Sequence, residues 1–202
     1  MNKTAILGGS FDPIHLGHLF LLHCAASLSD YNRFIIIPAK QSNFKRSSGP
    51  AASDSDRLEM IRLALLDYRE LYPQDKHATV EVSDMEIKRG GISYTYDTVM
   101  EVKKNLKIEG RIGLVMGDDH AQRLDQWYRY SELKDEVEFL ICRRNPDGAL
   151  WNMLPKDAKV VKLEPENVSL ESATEIRNNL LSHEDFLPRR VLEYVREHNL
   201  YS

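Results

Sequence analysis

The chain has only two cysteines, Cys24 and Cys142, in 202 residues. They have no paired spacing, so neither a disulfide framework nor a zinc cluster is indicated, and both are expected to be reduced, buried thiols. Long apolar runs are also missing. No window approaches the ~20 apolar residues that span a bilayer. The first apolar run has only the length of a strand, so a secretory leader is not expected. Nor is there an excess of one charge: 27 Lys and Arg face 31 Asp and Glu, for a formal charge of −4. That balance argues against general affinity for nucleic acid or for an anionic membrane, so any anion binding has to be local. A soluble, cytoplasmic protein with no nucleic-acid or membrane partner is expected. Repeats and low-complexity segments are lacking. So are the Gly-x4-Gly-Lys-Ser/Thr phosphate loop, the Gly-x-Gly-x-x-Gly dinucleotide turn and the His-Glu-x-x-His metal motif, and no metal-ligating residues are assigned.

What is present suits one domain over residues 1–202, with 42% hydrophobic residues to build a core. Apolar runs at 3–8, 33–37, 79–82, 112–116, 137–142 and 159–163 read as strands. Helical patterns over 16–28, from Asp56 onward, 95–105, 172–182 and 185–199 lie between or after them. Asp56 with Glu59 forms a candidate capping box, and residues 39–54 and 143–158 read as loops. Strands separated by helices imply parallel pairing with right-handed crossovers. The runs at 33–37, 112–116 and 137–142 are apolar throughout, which suits a sheet covered on both faces. The expected fold class is therefore α/β, a doubly wound, Rossmann-like parallel sheet closed by C-terminal helices. Ligands of such sheets bind beyond the carboxyl ends of the strands.

At the first of those ends stands Gly8-Gly9-Ser10-Phe11-Asp12-Pro13-Ile14-His15-Leu16-Gly17-His18. Small residues at a strand-to-helix turn let backbone N–H groups approach a ligand. The helix N-terminus adds unpaired donors and positive field. His15 and His18, three positions apart, fall near one face of the first turn. The combination suits a polyphosphate. An imidazole can donate an N–H to charge developing on a phosphoryl group, and a protonated one adds charge.

This segment resembles the signature of the nucleotidyltransferases that move AMP from ATP onto a phosphate ester, with His15 and His18 in the family's (His/Thr)-x-Gly-His core. The resemblance implies catalytic roles for both histidines and nucleotide binding by Gly8, Gly9, Ser10 and Phe11. A second signature of the family, Ile-Ser-Ser-Thr-x-(Ile/Val)-Arg, is similar to Ser172-Ala173-Thr174-Glu175-Ile176-Arg177. It implies that Ser172, Thr174 and Arg177 hold the β- and γ-phosphates. Read alone, Ser172 with Glu175 is a helix capping box, and the two uses are compatible. Glu171 and Ala173 depart from the pattern. Gly117-Asp118-Asp119-His120 resembles the family's Gly-x-Asp and assigns Asp119 to the adenosine side. Without the resemblance, Asp118 or Asp119 reads as a helix cap. Lys45 matches a basic position of the loop after Pro38, although the usual Pro-Pro-His is replaced there. Arg143 and Arg144, after the fifth strand, are weaker candidates on the ligand side.

Ser93-Tyr94-Thr95-Tyr96-Asp97-Thr98 and Trp127-Tyr128 resemble one subfamily, the bacterial nicotinate-mononucleotide adenylyltransferases. The resemblance implies that Trp127 stacks on the pyridine ring and that Tyr94, Thr95 and Tyr128 help to bind its nucleotide. The substrates it implies are ATP, accompanied by Mg2+, and nicotinate mononucleotide. Homo-oligomerisation stays open. So do transfer to nicotinamide mononucleotide or to a pantetheine phosphate, and a nucleotide-sensing module without turnover.

Overall fold

The computed structural model describes residues 3–43, 50–144, 156–166 and 172–201. Strands β1 (Thr4–Gly9), β2 (Arg33–Pro38), β3 (Thr79–Val82), β4 (Ile112–Gly117), β5 (Val137–Cys142) and β6 (Val160–Leu163) form one sheet. Its order is β3-β2-β1-β4-β5-β6, and every pairing is parallel. Leu7 of β1 faces Ile36 on one side and Val115 on the other. The chain runs outward from β1 to β3 and then crosses to β4 beside β1. The order therefore reverses between β1 and β4, where a doubly wound sheet opens a crevice at its carboxyl edge.

Alternation along the strands splits the core between two faces. Ala5, Leu7, Phe34, Ile36, Val115 and Leu140 pack under Leu19 and Leu22 of α1 (Leu16–Leu28), Met60 and Ile61 of α2 (Asp54–Leu71) and, beyond them, Val191 near the C-terminus. Ile6, Ile35, Ile37, Leu114, Met116, Phe139 and Ile141 form the second core. Each of these side chains larger than alanine contributes about 1.5–3 kcal/mol on burial. With both faces covered, the strands have no polar face to show, which is why they read as unbroken apolar runs.

Among the other helices are α3 (Met85–Arg89), α4 (Thr95–Leu106), α5 (Tyr130–Glu136), α6 (Ala173–Asn178) and α7 (Arg189–Glu197). Several expected boundaries change. α2 starts at Asp54, and its cap is Ser53, whose hydroxyl accepts the Asp56 N–H at 3.1 Å, so Asp56 lies inside the first turn. α6 stops at Asn178, and the next residue, Asn179, accepts the Ser182 N–H at 3.2 Å through its side chain and starts a separate short 3-10 turn. Pro188 caps α7 from outside, behind a 3-10 turn at Glu184–Phe186. Among the described residues, no helix is long and apolar enough to cross a membrane.

Gly113 in β4 lies where the sheet packs closely on its neighbours. A Cβ there would lie 2.7 Å from the Ala5 Cβ and 2.8 Å from the Tyr31 ring. That ring is held because its hydroxyl donates to Glu138 Oε2 at 2.7 Å. Gly113→Ala is expected to destabilise the fold by about 1–3 kcal/mol. Thermal melts should show a fall in Tm of roughly 2–4 °C per kcal/mol for a chain of this size.

Candidate active site

A cavity of about 440 Å³ opens at the carboxyl ends of β1 and β4. Its wall contains Gly8, Gly9, Ser10, Phe11, His15 and His18 from the first turn, Asp119 after β4, Thr95 and Trp127, and Ser172, Thr174 and Arg177 from the far end of the chain. Tyr94 and Tyr128, expected at the same site, are not among the residues that line it; their rings pack on one another at 4.4 Å, and Tyr128 is exposed. Lys45 and Glu171 lie outside the described residues.

The turn after β1 is shaped by packing. Phe11 takes a left-handed φ of 46° and is buried. Its ring folds back so closely that a Cβ on Gly9 would meet it at 3.1 Å. Gly9 is therefore small to admit Phe11, whereas a Cβ on Gly8 would have open space around it. Asp12 is buried and gathers distant segments: it accepts the Ala51 and Ala52 N–H groups at 2.8 and 3.0 Å and the Tyr201 hydroxyl at 2.8 Å. The Arg177 guanidinium donates to the Asp12 carbonyl and lies 3.9 Å from its carboxylate. Asp12 thus seats the second signature against the first across 165 residues.

The two imidazoles are in contact, with centroids 3.8 Å apart and planes tilted by 35°. The His15 N–H donates to His18 Nδ1 at 3.2 Å. A ring nitrogen that accepts carries no proton, so the neutral His18 ring holds its proton on Nε2. His15 is 4% exposed, and its Nδ1 is buried without a protein partner. Burial, aided by the Arg144 charge, pushes His15 down to about 3. His18 is held well below its ordinary 6.5 by burial and by its neighbours His15, Arg144 and His120. Both rings are therefore neutral at pH 7, and among the described residues of the wall Arg144 and Arg177 carry positive charge.

Because the folded histidines resist protonation, the unfolded chain binds more protons between about pH 3 and 6.5, and stability falls as pH drops through that window. Melts between pH 6.5 and 5, above the main carboxylate range, should show a falling Tm. A His15→Asn/His18→Asn protein should show a flatter slope.

Asp118 and Asp119 do not cap the segment after β4, a 3-10 turn over Asp118–Gln126 whose cap is Gly117. Asp118 is fully buried and accepts the Arg144 N–H at 3.1 Å. Asp119 stays half exposed, 3.6 Å from the Arg144 guanidinium. Ser172 occupies the cap position of α6, yet its side chain makes no capping bond, so its hydroxyl is not spent on the helix.

On the opposite wall, Ser93 is tied to the end of β2. Its N–H donates to the Gln41 carbonyl at 2.8 Å, and its hydroxyl accepts the Lys40 N–H at 3.1 Å. Glu86, which also lines the cavity, accepts the Thr98 hydroxyl, and burial raises its carboxyl above the usual range. The sequence reading missed Glu86 because α3 is five residues long, too short for a periodic pattern to stand out. It also passed over Asp12, which the first signature contains without a stated role.

The cytidylyltransferase-like family matches residues 6–179. A protein of Treponema pallidum described as a probable nicotinate-nucleotide adenylyltransferase is 31% identical, over 98% of both chains. One of Listeria welshimeri with the same description is 35% identical, over 99% of this chain and 97% of its own. Among solved structures, the Plasmodium falciparum nicotinic acid mononucleotide adenylyltransferase complexed with NaAD superposes with a TM-score of 0.78. It covers 100% of this chain and 98% of that one at 20% identity, a likeness of fold. The chain belongs to the cytidylyltransferase-like family and, within it, to the nicotinate-nucleotide adenylyltransferases.

Proposed function

We propose that the chain, acting as one domain, transfers AMP from MgATP to nicotinate mononucleotide, giving nicotinate adenine dinucleotide and pyrophosphate. The observation that carries this reading is the meeting of both signatures, Gly8–His18 and Ser172–Arg177, in one cavity at the sheet's switch point. A phosphate oxygen of the mononucleotide attacks the α-phosphorus of ATP in line. The new P–O bond forms as the bond to the bridging α–β oxygen breaks, and the electron pair leaves with pyrophosphate. No covalent protein intermediate is needed, so the work of the residues is positioning and charge stabilisation.

His18 donates through Nε2–H to the α-phosphate oxygens, where charge builds. His15 binds the ATP phosphates from its place in the cavity wall. Gly8, Gly9, Ser10 and Phe11 line the nucleotide turn, and Asp119 serves the adenosine side. Ser172, Thr174 and Arg177, with Lys45, hold the β- and γ-phosphates. Trp127 stacks on the pyridine ring, with Tyr94, Thr95 and Tyr128 around it. The cation that accompanies ATP is carried in on its phosphates. The same reading assigns the reaction to the cytoplasm, with Cys24 and Cys142 as free, buried thiols.

Pyrophosphate release from the purified protein with MgATP tests this reading. Nicotinate mononucleotide should turn over at least roughly tenfold faster than its amide, the discrimination expected of a site that pairs a substrate's polar group. Equal use of both would leave adenylyl transfer standing and overturn the assignment of the pyridine pocket. Use of a pantetheine phosphate alone would replace the acceptor, and ATP binding without release would leave a sensing module.

A further inference from the structure

Arg57 sits in the first turns of α2, and its side chain is wholly buried. It does not line the cavity. A guanidinium out of water needs acceptors on its donors, and the ones it has are informative. Nη1 donates to the Ser10 carbonyl and to the Ala39 carbonyl, both at 2.7 Å, and Nη2 donates to Asp54 Oδ1 at 2.7 Å. Ser10 follows β1 inside the nucleotide turn, and Ala39 follows β2. The Ala39 N–H in turn donates to the Gly9 carbonyl at 2.8 Å. Asp54, which also holds the Lys40 ammonium, starts α2. One side chain thus ties the floor of the site to both ends of the segment between β2 and α2.

We propose that Arg57 is a positioning residue for adenylyl transfer: by holding the Ser10 and Ala39 carbonyls it sets the nucleotide turn in its reactive geometry without touching substrate. This inference rests on the reaction proposed above. In a trans peptide the C=O and N–H point in opposite directions. With the Ser10 carbonyl turned onto Arg57, the Phe11 N–H is turned away from it. Phe11 also holds a left-handed φ of 46°, a conformation unfavourable for a bulky residue that persists only when its surroundings hold it. The Arg57 bond falls on the peptide immediately before that residue. An acceptor carbonyl released here would also be free to turn its negative end toward the phosphates.

The test compares wild type with Arg57→Lys, Arg57→Met and Asp54→Ala, using steady-state kinetics, thermal melts and calorimetric titration of a non-hydrolysable ATP analogue. Displacing a reacting group by about 1 Å costs roughly 10²-fold in rate. Well below its Tm, Arg57→Lys is therefore expected to lose about 10²-fold in kcat and to bind the analogue severalfold more weakly. Its KM for nicotinate mononucleotide should change little, because Thr95 and Trp127 lie on other elements. Asp54→Ala, which spares both carbonyl bonds, should keep kcat within about threefold. A lower Tm with kcat and analogue affinity unchanged would overturn the proposal and leave Arg57 as a folding residue. Should Arg57→Met fail to fold, Arg57→Lys, which keeps charge and bulk, decides. If wild type does not turn over nicotinate mononucleotide, the proposed reaction falls, and the analogue titration still decides whether Arg57 sets the turn.

Discussion

His18→Ala is expected to lower kcat by roughly 10²–10³-fold, the loss seen when one donor aimed at developing negative charge is removed. The fold should survive, because the substitution removes one ring hydrogen bond, accepted by Nδ1 from the His15 backbone N–H at 3.2 Å. KM for both substrates should change less than kcat, since the donor matters most when charge is greatest. His18→Gln, which can present an amide N–H, should recover part of the loss. The neutral state of the ring adds a second expectation. If His18 works as a neutral Nε2–H donor, kcat should be flat from pH 6 to 8 as far as this group is concerned, because burial holds it well below 6.5. Pyrophosphate release at saturating substrate checks both. Unchanged turnover in a folded His18→Ala protein would remove the role.

Arg177→Ala is expected to lower kcat/KM for ATP by roughly 10²–10³-fold, as for the loss of a cation clamped on a transferring phosphoryl group. Inhibition by added pyrophosphate should weaken by at least about tenfold. Arg177 has two duties: it donates to the Asp12 carbonyl, and its other amino group lies 3.3 Å from the Thr174 hydroxyl. Lysine cannot reproduce this planar fork, so Arg177→Lys should stay well below wild type. A purely structural arginine would lower Tm and leave the pyrophosphate inhibition constant unchanged, which a product-inhibition series separates from the expected result.

Local patterns carried most of the fold. β1, β2, β4 and β5 are short β-branched or apolar runs between turn residues, and the structure places them within a residue or two of the sequence expectation. The first turn of the site was legible for the same reason, because Gly8–His18 is contiguous. What local pattern could not convey were segments too short to be periodic and choices among competing caps. α3 has five residues, and the segment after β4 winds as a 3-10 turn with a kink at Arg123. Ser53 and Asp56 are both good caps, and only the packed start of α2 selects Ser53. Arg57, a charged residue in a helix rich in charge, gives no sign in sequence that three oxygens converge on it.

By itself the sequence determined the alternation of strands and helices, the histidine-bearing phosphate turn and the family to which both signatures point. Each of these is written in neighbouring residues, where periodicity and turn chemistry act. Only the tertiary structure decided that Ser172, Thr174 and Arg177 face that turn, that Asp12 joins the two ends of the chain and that His15 and His18 stand neutral. Those outcomes depend on which groups lose water and which distant donors reach them. Burial and long-range hydrogen bonding are properties of the packed chain and leave no local pattern in sequence.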